Sequence, residues 1–426
     1  MTKYHLKTIA TEREFDDAGW TLDDPEFGGQ SLVRAIYEKK QITVGPDSEG
    51  IYKFADWMPI SRMLKGSAAP VTYKSVGLAK ELGLNNLWIT FNGYFPEIGA
   101  EMSTCSFKET ESYTVGGRIS ENENRVLVVA SAGNTARAFA KVCSENNIKL
   151  LLSVPEDNLD ALWFEKELNP CVKLIASRSG SDYFDAIHLG NIAVKSDMFY
   201  PEGGAKNVAR RDGMATTTLS AVTTIGQIPD YYFQAVGSGT GAIAAWEANL
   251  RFIEDGRFGA NKMKLIVSQN HPFVPMYDAW KANSREMLPY EDTAARKHVE
   301  IIDAKVLSNR KPPYSIIGGL FDALVDSDGD VVWVGNKEAR EAAVLYEKLE
   351  GIDIHPAPAV AVASLIDAVR DGRVNADDCI MLNITGGGET RLKIELGENI
   401  FYLKPSAVFD VNPDENFVIE TVEKLF

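Results

Sequence analysis

The chain of 426 residues has few cysteines, few histidines and no long apolar run. Its four cysteines are scattered without a C-x-x-C pair, which excludes structural zinc held by cysteine pairs and indicates reduced thiols. The five histidines form no i, i+4 pair and no H-E-x-x-H motif, so we assign no metal site. No stretch approaches the ~18 uncharged apolar residues of a membrane span, and residues 1–7 lack the apolar core of a signal peptide. We therefore expect a soluble, cytoplasmic protein.

Positive charges are outnumbered, since 44 Lys and Arg residues stand against 60 Asp and Glu residues and give a net charge of −16 at pH 7. Such a surface repels nucleic acid and anionic membranes, so neither is an expected partner. Any anionic substrate must be captured by local positive groups. The acidic segment 326–330 resembles a calcium loop, but its glycine and later acid miss the required spacing, which favours a simple turn.

The organisation of the chain is that of alternating strands and helices, with 45% hydrophobic residues distributed as in globular domains. Short apolar and β-branched runs predict strands at 126–129, 150–154, 172–175, 231–236, 264–267 and 380–384. Helical spacing of apolar residues predicts helices near 136–143, 185–194, 242–253, 273–281 and 359–369. We predict an α/β fold with a small domain at 121–205 and a large domain formed by 1–120 and 206–426. Residues 1–70 have an irregular pattern.

A glycine loop follows the predicted strand at 231–236 and precedes a helix. It consists of Gly237, Ser238, Gly239, Thr240 and Gly241, a context in which backbone amides and a helix N-terminus bind phosphate. The pattern also fits the G-x-G-x-x-A of a dinucleotide fold, but the next strand ends in Ser-Gln-Asn at 268–270, not in the acid that would hold a ribose. A cofactor with a single phosphate fits better. The alternative is a glycine turn needed only for packing.

A second strand-to-helix turn contains Ser131, Ala132, Gly133, Asn134 and Thr135. Its free amides and hydroxyls are suited to holding a substrate carboxylate, while the Asn134 amide can meet an aromatic oxygen. Considered alone, the turn is better explained as an ordinary helix N-cap.

Thr385 stands at the carboxyl end of the strand 380–384, where ligands bind in open α/β sheets. Its hydroxyl is neutral, so a pyridine nitrogen facing it would gain no acidic partner and the ring would be a weaker electron sink. This tuning favours expulsion of a leaving group. The alternative is a glycine-rich strand exit that merely turns the chain.

Lys108 lies in the segment Ser-Phe-Lys at 106–108, and the three motifs described above indicate a function for it. Together they supply what a lysine-bound pyridoxal 5'-phosphate needs: a phosphate loop, a partner for the ring oxygen and a partner for the ring nitrogen. Lys108 is therefore the candidate catalytic residue. Cys105, three residues earlier, is interpreted as packing.

Lys206 and Arg210 are candidates for binding an oxyanion. They lie at i, i+4, so on one helix face they would form a cationic site. A solvated surface cluster is the competing interpretation.

In their order along the chain, Ser-Phe-Lys, Ser-Ala-Gly-Asn-Thr, Gly-Ser-Gly-Thr-Gly and Thr-Gly-Gly-Gly resemble the motifs of fold type II pyridoxal-phosphate enzymes, the tryptophan synthase β-like class. The resemblance runs from about residue 70 to 395 and includes threonine synthase features such as Pro-Ala-Pro-Ala at 356–359. It implies two mostly parallel α/β domains with the cofactor between them and Lys108 as the Schiff-base lysine.

Three departures from threonine synthase point to another substrate on the same scaffold. Glu-Thr-Glu at 109–111 replaces the common Asp-Arg-Gly, His355 replaces a glutamate, and Gly387 replaces a histidine. Along its whole length the chain is similar to the relatives that make L-cysteate from O-phospho-L-serine and sulfite for coenzyme M biosynthesis. That similarity implies a β-replacement that releases phosphate. The alternatives are threonine synthesis from O-phosphohomoserine and a non-catalytic relative that keeps the fold but need not keep Lys108. We also expect a homo-oligomer.

Overall fold

The computed structural model describes residues 3–45, 48–131, 133–181 and 183–426. Its strands, in chain order, are β1 (Tyr4–Thr8), β2 (Glu14–Phe15), β3 (Val33–Tyr37), β4 (Val71–Lys74), β5 (Leu87–Phe91), β6 (Tyr94–Phe95), β7 (Ala100–Glu101), β8 (Val126–Ala130), β9 (Leu150–Pro155), β10 (Trp163–Phe164), β11 (Val172–Ser177), β12 (Phe199–Pro201), β13 (Tyr231–Ala235), β14 (Lys264–Asn270), β15 (Asp330–Val334), β16 (Ile380–Ile384), β17 (Phe401–Tyr402) and β18 (Ala407–Phe409).

The α-helices are α1 (Gly77–Leu82), α2 (Lys108–Arg118), α3 (Asn134–Glu145), α4 (Tyr183–Ala193), α5 (Val208–Ile225), α6 (Thr240–Asp255), α7 (Pro275–Lys281), α8 (Asp292–Ile301), α9 (Leu320–Asp326), α10 (Asn336–Glu350), α11 (Pro356–Arg370), α12 (Glu389–Leu396) and α13 (Glu415–Glu423). Every strand and helix predicted from the sequence is present, with ends that differ by a few residues. Among the described residues, no helix combines the length and apolar character that a membrane crossing requires.

The larger sheet has the strand order β15-β14-β13-β16-β5-β4. All its neighbours are parallel except the edge strand β4, which is antiparallel to β5. Successive residues of one strand enter different cores: Leu265 of β14 packs in the core that α5 and α6 share, and Ile266 packs in the core formed with α10 and α11. Helices therefore cover both faces, which explains why the strands are apolar runs without alternation.

The smaller sheet has the order β12-β8-β9-β11-β18 and is parallel throughout. Its last strand comes from the C-terminal end of the chain, where Ala407 pairs with Ile175, and α13 then packs against α4 in the same layer. The sequence-based division assigned these residues to the large domain. It was wrong at this end because a strand of three residues gives almost no periodic signal.

The N-terminal residues, irregular in sequence, form a three-stranded antiparallel sheet of order β2-β1-β3. A buried charge cluster attaches this sheet to helices α5 and α6. Glu247 of α6 accepts hydrogen bonds from Arg34 of β3 at 3.2 Å and from Arg211 of α5 at 3.0 Å. Tyr37 of β3 also donates to Asp212 of α5 at 2.6 Å. Since Glu247 and Arg211 are each about 1% exposed, these ion pairs are nearly unscreened by water.

We predict that Glu247→Gln lowers the free energy of unfolding by about 3–5 kcal/mol, because it leaves two buried guanidinium groups without their counter-charge. Urea denaturation at pH 7 measures the change. The matched control is Glu341→Gln, which breaks an exposed i, i+4 pair with Lys337 and should cost less than ~1 kcal/mol. A loss for Glu247→Gln no larger than the control's would contradict the prediction.

The difference in unfolding free energy between the native protein and Glu247→Gln should depend on pH. Burial opposes ionisation of Glu247, but Arg211 and Arg34 outweigh it and hold the pKa of this carboxyl below its ordinary value. Its contribution is therefore complete above the unfolded pKa of about 4.3 and is lost as pH falls through the lower folded value. The stability difference between the native protein and Glu247→Gln should narrow below that pH.

Candidate active site

The predicted motifs meet at the carboxyl edge of the larger sheet. β13 and β16 are parallel neighbours, with Tyr231 opposite Ile380 and Phe233 opposite Leu382. The Gly237–Gly241 loop follows β13 and Thr385 follows β16, so the two motifs emerge side by side.

Lys108 is the first residue of α2 and lies directly against the Thr385 segment. The amide of Phe107 donates to the carbonyl of Thr385 at 3.0 Å, and Ser106 forms an antiparallel bridge with Gly386. Thr385 is itself 7% exposed. The backbone thus fixes the lysine beside the residue predicted to face a ring nitrogen.

The turn before α3 approaches Lys108 from the smaller sheet. Thr135 donates through Oγ1 to Glu111 Oε1 of α2 at 3.1 Å, which brings the start of α3 to the lysine's neighbour. Asn134, half-buried, is the first residue of α3, and Ser131 Oγ accepts from the Gly133 amide at 3.2 Å. Ala132, also predicted to bind substrate, lies outside the described residues.

Arg137 fastens α3 to the loop that precedes Lys108. Its guanidinium donates to the carbonyls of Ser103 at 2.9 Å and Thr104 at 3.1 Å, and lies 3.3 Å from the centre of the Trp163 ring. Arg137 is almost fully buried. These contacts fix α3 against the loop before Lys108, and the sequence contained no signal for them.

The Gly237–Gly241 loop has the form of a phosphate cradle. Gly239 is left-handed (φ +78°), and a Cβ at Gly237 would come within 2.7 Å of the Val306 carbonyl. Within the described ranges, the amides of Gly237, Ser238, Gly239 and Gly241 have no hydrogen-bond acceptor. Unpaired amides at the start of the 16-residue helix α6 are what a phosphate would satisfy, so these residues fit pyridoxal phosphate.

A buried charge cluster surrounds Lys108. Lys108 Nζ lies 3.3 Å from Glu111 Oε2, and Arg210 donates to Glu111 Oε1 at 2.7 Å and to Glu202 Oε2 at 3.0 Å. Burial lowers the pKa of Lys108 below its ordinary value, with Arg210 acting in the same direction and Glu111 opposing. A partly buried lysine with a lowered pKa has a larger unprotonated fraction near neutral pH, and the free amine is the form that acts as base and nucleophile.

The pKa values of the two glutamates in this cluster are shifted in opposite directions. Burial opposes the charge of Glu111, but Arg210 and Lys108 outweigh it and lower the pKa of that carboxyl. Burial raises the pKa of Glu202 despite its contact with Arg210. Neither glutamate was predicted as a site residue. The available signal for Glu111 was its i+3 position relative to Lys108, which places both on one helix face.

The predicted joint site of Lys206 and Arg210 is wrong in its geometry. Asn207 caps α5, with its side chain accepting from the Ala209 amide, so the two cations do not share a helix. Lys206 lies in the preceding 3-10 turn and pairs with Asp23 at 2.7 Å. Arg210 alone turns toward Lys108.

Two other residues from the sequence analysis lie near Thr385. Cys105 is fully buried, and burial raises the pKa of its thiol to about 12, in agreement with a packing role. His355 contacts Glu389 at 3.0 Å, and a Cβ at Gly386 would lie 2.6 Å from the His355 ring. The glycine at 386 is thus required by close packing against His355.

Comparison with solved structures shows the fold. The model superposes on maize serine racemase with a TM-score of 0.56 at 13% identity, covering 75% of this chain and 88% of that one. For the processed form of threonine deaminase isoform 2 from Solanum lycopersicum the TM-score is 0.53 at 16% identity, covering 78% and 88%. The expected fold type II architecture is confirmed.

Sequence comparison identifies the family. Residues 72–386 match the model of the pyridoxal-phosphate dependent enzymes. The chain is 47% identical to a cysteate synthase of Methanosarcina acetivorans, over 97% of this chain and 98% of that protein. It is 48% identical to a cysteate synthase of Methanococcoides burtonii, over 100% and 99%. The chain is therefore a pyridoxal-phosphate dependent enzyme of the cysteate synthase family.

Proposed function

We propose that this enzyme converts O-phospho-L-serine and sulfite to L-cysteate and phosphate, as a step of coenzyme M biosynthesis. The observation that carries the proposal is the 47–48% identity to proteins named cysteate synthase over nearly the full length of both chains. The site supports it, because a partly buried lysine of lowered pKa shares Glu111 with the guanidinium of Arg210, and the Gly237–Gly241 loop emerges from the strand next to that of Thr385. These relatives favour this reaction over threonine synthesis from O-phosphohomoserine.

The residues available to the cofactor define its proposed place. Lys108 would bond it covalently, the amides of the Gly237–Gly241 loop would hold its phosphate, and Asn134 and Thr385 would be the partners of its ring oxygen and ring nitrogen. When bound, pyridoxal phosphate supplies an electron sink that makes the α-proton of an amino acid acidic. The neutral Thr385 hydroxyl keeps that sink weak, which favours prompt loss of a β leaving group.

Lys108 carries the proton in the proposed reaction. With the substrate bound, Lys108 Nζ would accept the α-proton; the electron pair of that C–H bond would form the double bond to the β-carbon as the bond from the β-carbon to the phosphate oxygen breaks and phosphate leaves. The sulfur lone pair of sulfite then forms a bond to the β-carbon. Lys108 returns the proton to the α-carbon, so one side chain serves as base and then as acid.

Substrate binding is divided in this proposal between the turn before α3 and Arg210 of α5. The turn of Ser131, Ala132, Gly133 and Thr135 holds the substrate carboxylate in this proposal. Arg210 is the candidate partner of the leaving phosphate and the incoming sulfite, since both are oxyanions and one cation can serve each in turn. Its Nε is buried and has no hydrogen-bond partner among the described residues, which leaves a donor for that purpose. A cytoplasmic location and a homo-oligomeric state complete the proposal.

Incubation with O-phospho-L-serine and sulfite should yield L-cysteate and one equivalent of phosphate, identified by mass spectrometry and a phosphate assay. O-Phosphohomoserine without sulfite serves as the comparison substrate. Formation of threonine without cysteate would refute the proposed reaction and leave the alternative.

Lys108→Ala should abolish the visible absorbance band of covalently bound cofactor and reduce kcat by about 10³-fold or more, because both the covalent attachment and the proton carrier are removed. The control is Lys80→Ala on α1, which removes an exposed lysine and should keep the band. A band that persists in Lys108→Ala and is trapped by borohydride on another lysine would disprove the assignment.

A further inference from the structure

Helix α2 contains two fully buried glutamates that face different surroundings. Glu109 accepts from the Thr104 amide at 3.1 Å and from Lys141 Nζ at 3.1 Å. Glu111, two residues later, contacts Lys108 Nζ and accepts from Arg210. Both side chains are 0% exposed, so the helix offers two carboxylates of equal burial and different partners.

The carboxylate of Glu111 is held in one orientation. Its Oε1 accepts from Arg210 at 2.7 Å and from Thr135 at 3.1 Å, which leaves Oε2 for Lys108 Nζ at 3.3 Å. Three elements, α2, α3 and α5, therefore converge on one side chain. Since each oxygen has its own partners, the negative charge is directed at the lysine and cannot turn away from it.

The charged groups that face Lys108 come from several elements. Glu111 lies on its own helix, Arg210 on α5, and Glu202 in the segment that precedes α5; the Tyr183 hydroxyl of α4 lies in the field of the same three charges. Arg210 disfavours a proton on Lys108 Nζ, whereas Glu111 favours it. The lysine is thus placed between opposing charges at close range.

We propose that Glu111 is a positioning residue of the reaction: its carboxylate holds Lys108 Nζ in reach of the α-carbon and stabilises the ammonium formed there. The inference rests on the proposed function of Lys108 as proton carrier. When Nζ takes the α-proton, a positive charge appears in a partly buried site, where an unpaired ammonium is disfavoured. Glu111 supplies the counter-charge without accepting the proton, so Lys108 can return it.

Glu111 also connects the lysine to the oxyanion candidate. The same carboxylate that contacts Lys108 fixes one terminal nitrogen of Arg210, and Glu202 fixes the other. Movement of Glu111 would displace both cations together. A variant at this position should therefore change kcat through Lys108 and the KM for O-phospho-L-serine through Arg210.

The test measures protonation of Lys108 directly in the full-length chain freed of cofactor. Acetylation of Lys108 by acetic anhydride is followed as a function of pH by peptide mass spectrometry, with circular dichroism to verify folding. In Glu111→Gln the midpoint should move to lower pH by about one unit or more, because an opposite charge within about 4 Å has been removed. The matched control, Glu109→Gln, should leave the midpoint of Lys108 in place.

An unchanged midpoint in Glu111→Gln, or an equal shift in Glu109→Gln, would overturn the inference. If Glu111→Gln does not fold, Glu111→Asp is the variant to test. It keeps the negative charge but moves it one methylene away from Lys108, so the acetylation midpoint of Lys108 should shift to lower pH by a smaller amount. Because the labelling needs neither cofactor nor substrate, it is independent of product identity. A chain that shows the shift but makes no cysteate refutes the proposed function alone.

Discussion

Pairing of the buried polar groups on α2 is the constraint on which the rest of the structure depends. Residues from Glu109 to Arg118 are all buried, although the helix is largely polar. Thr110, Ser112 and Thr114 satisfy their hydroxyls on carbonyls of the preceding turn. The charged side chains cannot do so and need ionic partners from other elements, because an unpaired buried charge costs several kcal/mol. Each such partner fixes another part of the fold against the lysine helix.

The sheets and the cofactor motifs were predictable because their signals are local. Buried parallel strands are short apolar runs, and the loops that follow them are marked by glycine and small polar residues. The Gly237–Gly241 loop and Thr385 could therefore be placed at strand ends, and parallel pairing of β13 and β16 brings those ends together. The Ser-Phe-Lys segment alone does not indicate a function. Lys108 could be assigned to the cofactor only because the other motifs follow it in the order found in fold type II pyridoxal-phosphate enzymes.

The features that could not be predicted from the sequence depend on contacts between residues far apart along the chain. Arg118 of α2 reaches Asp17 at 2.7 Å, and Lys141 of α3 reaches Glu109, pairs that no periodic pattern encodes. The return of β18 to the smaller sheet is of the same kind. The error at Lys206 had a local cause: the Asn207 cap begins a new helix and cancels the i, i+4 relation to Arg210.

The proposed anionic substrates would have to bind to a protein of net charge −16, in which the cation nearest to Lys108 is already paired. The guanidinium of Arg210 is already paired with two carboxylates, so little net positive charge is offered to a ligand. Anion binding here must draw on groups that carry no net charge or on a change of protonation. The amides of Gly237, Ser238, Gly239 and Gly241, which have no acceptor in the part of the chain that the structure describes, are the first kind. Glu202, whose pKa is raised by burial, is the second, because its protonation would free one nitrogen of Arg210 for an incoming oxyanion. An acidic protein can thus bind an oxyanion without a permanently cationic pocket.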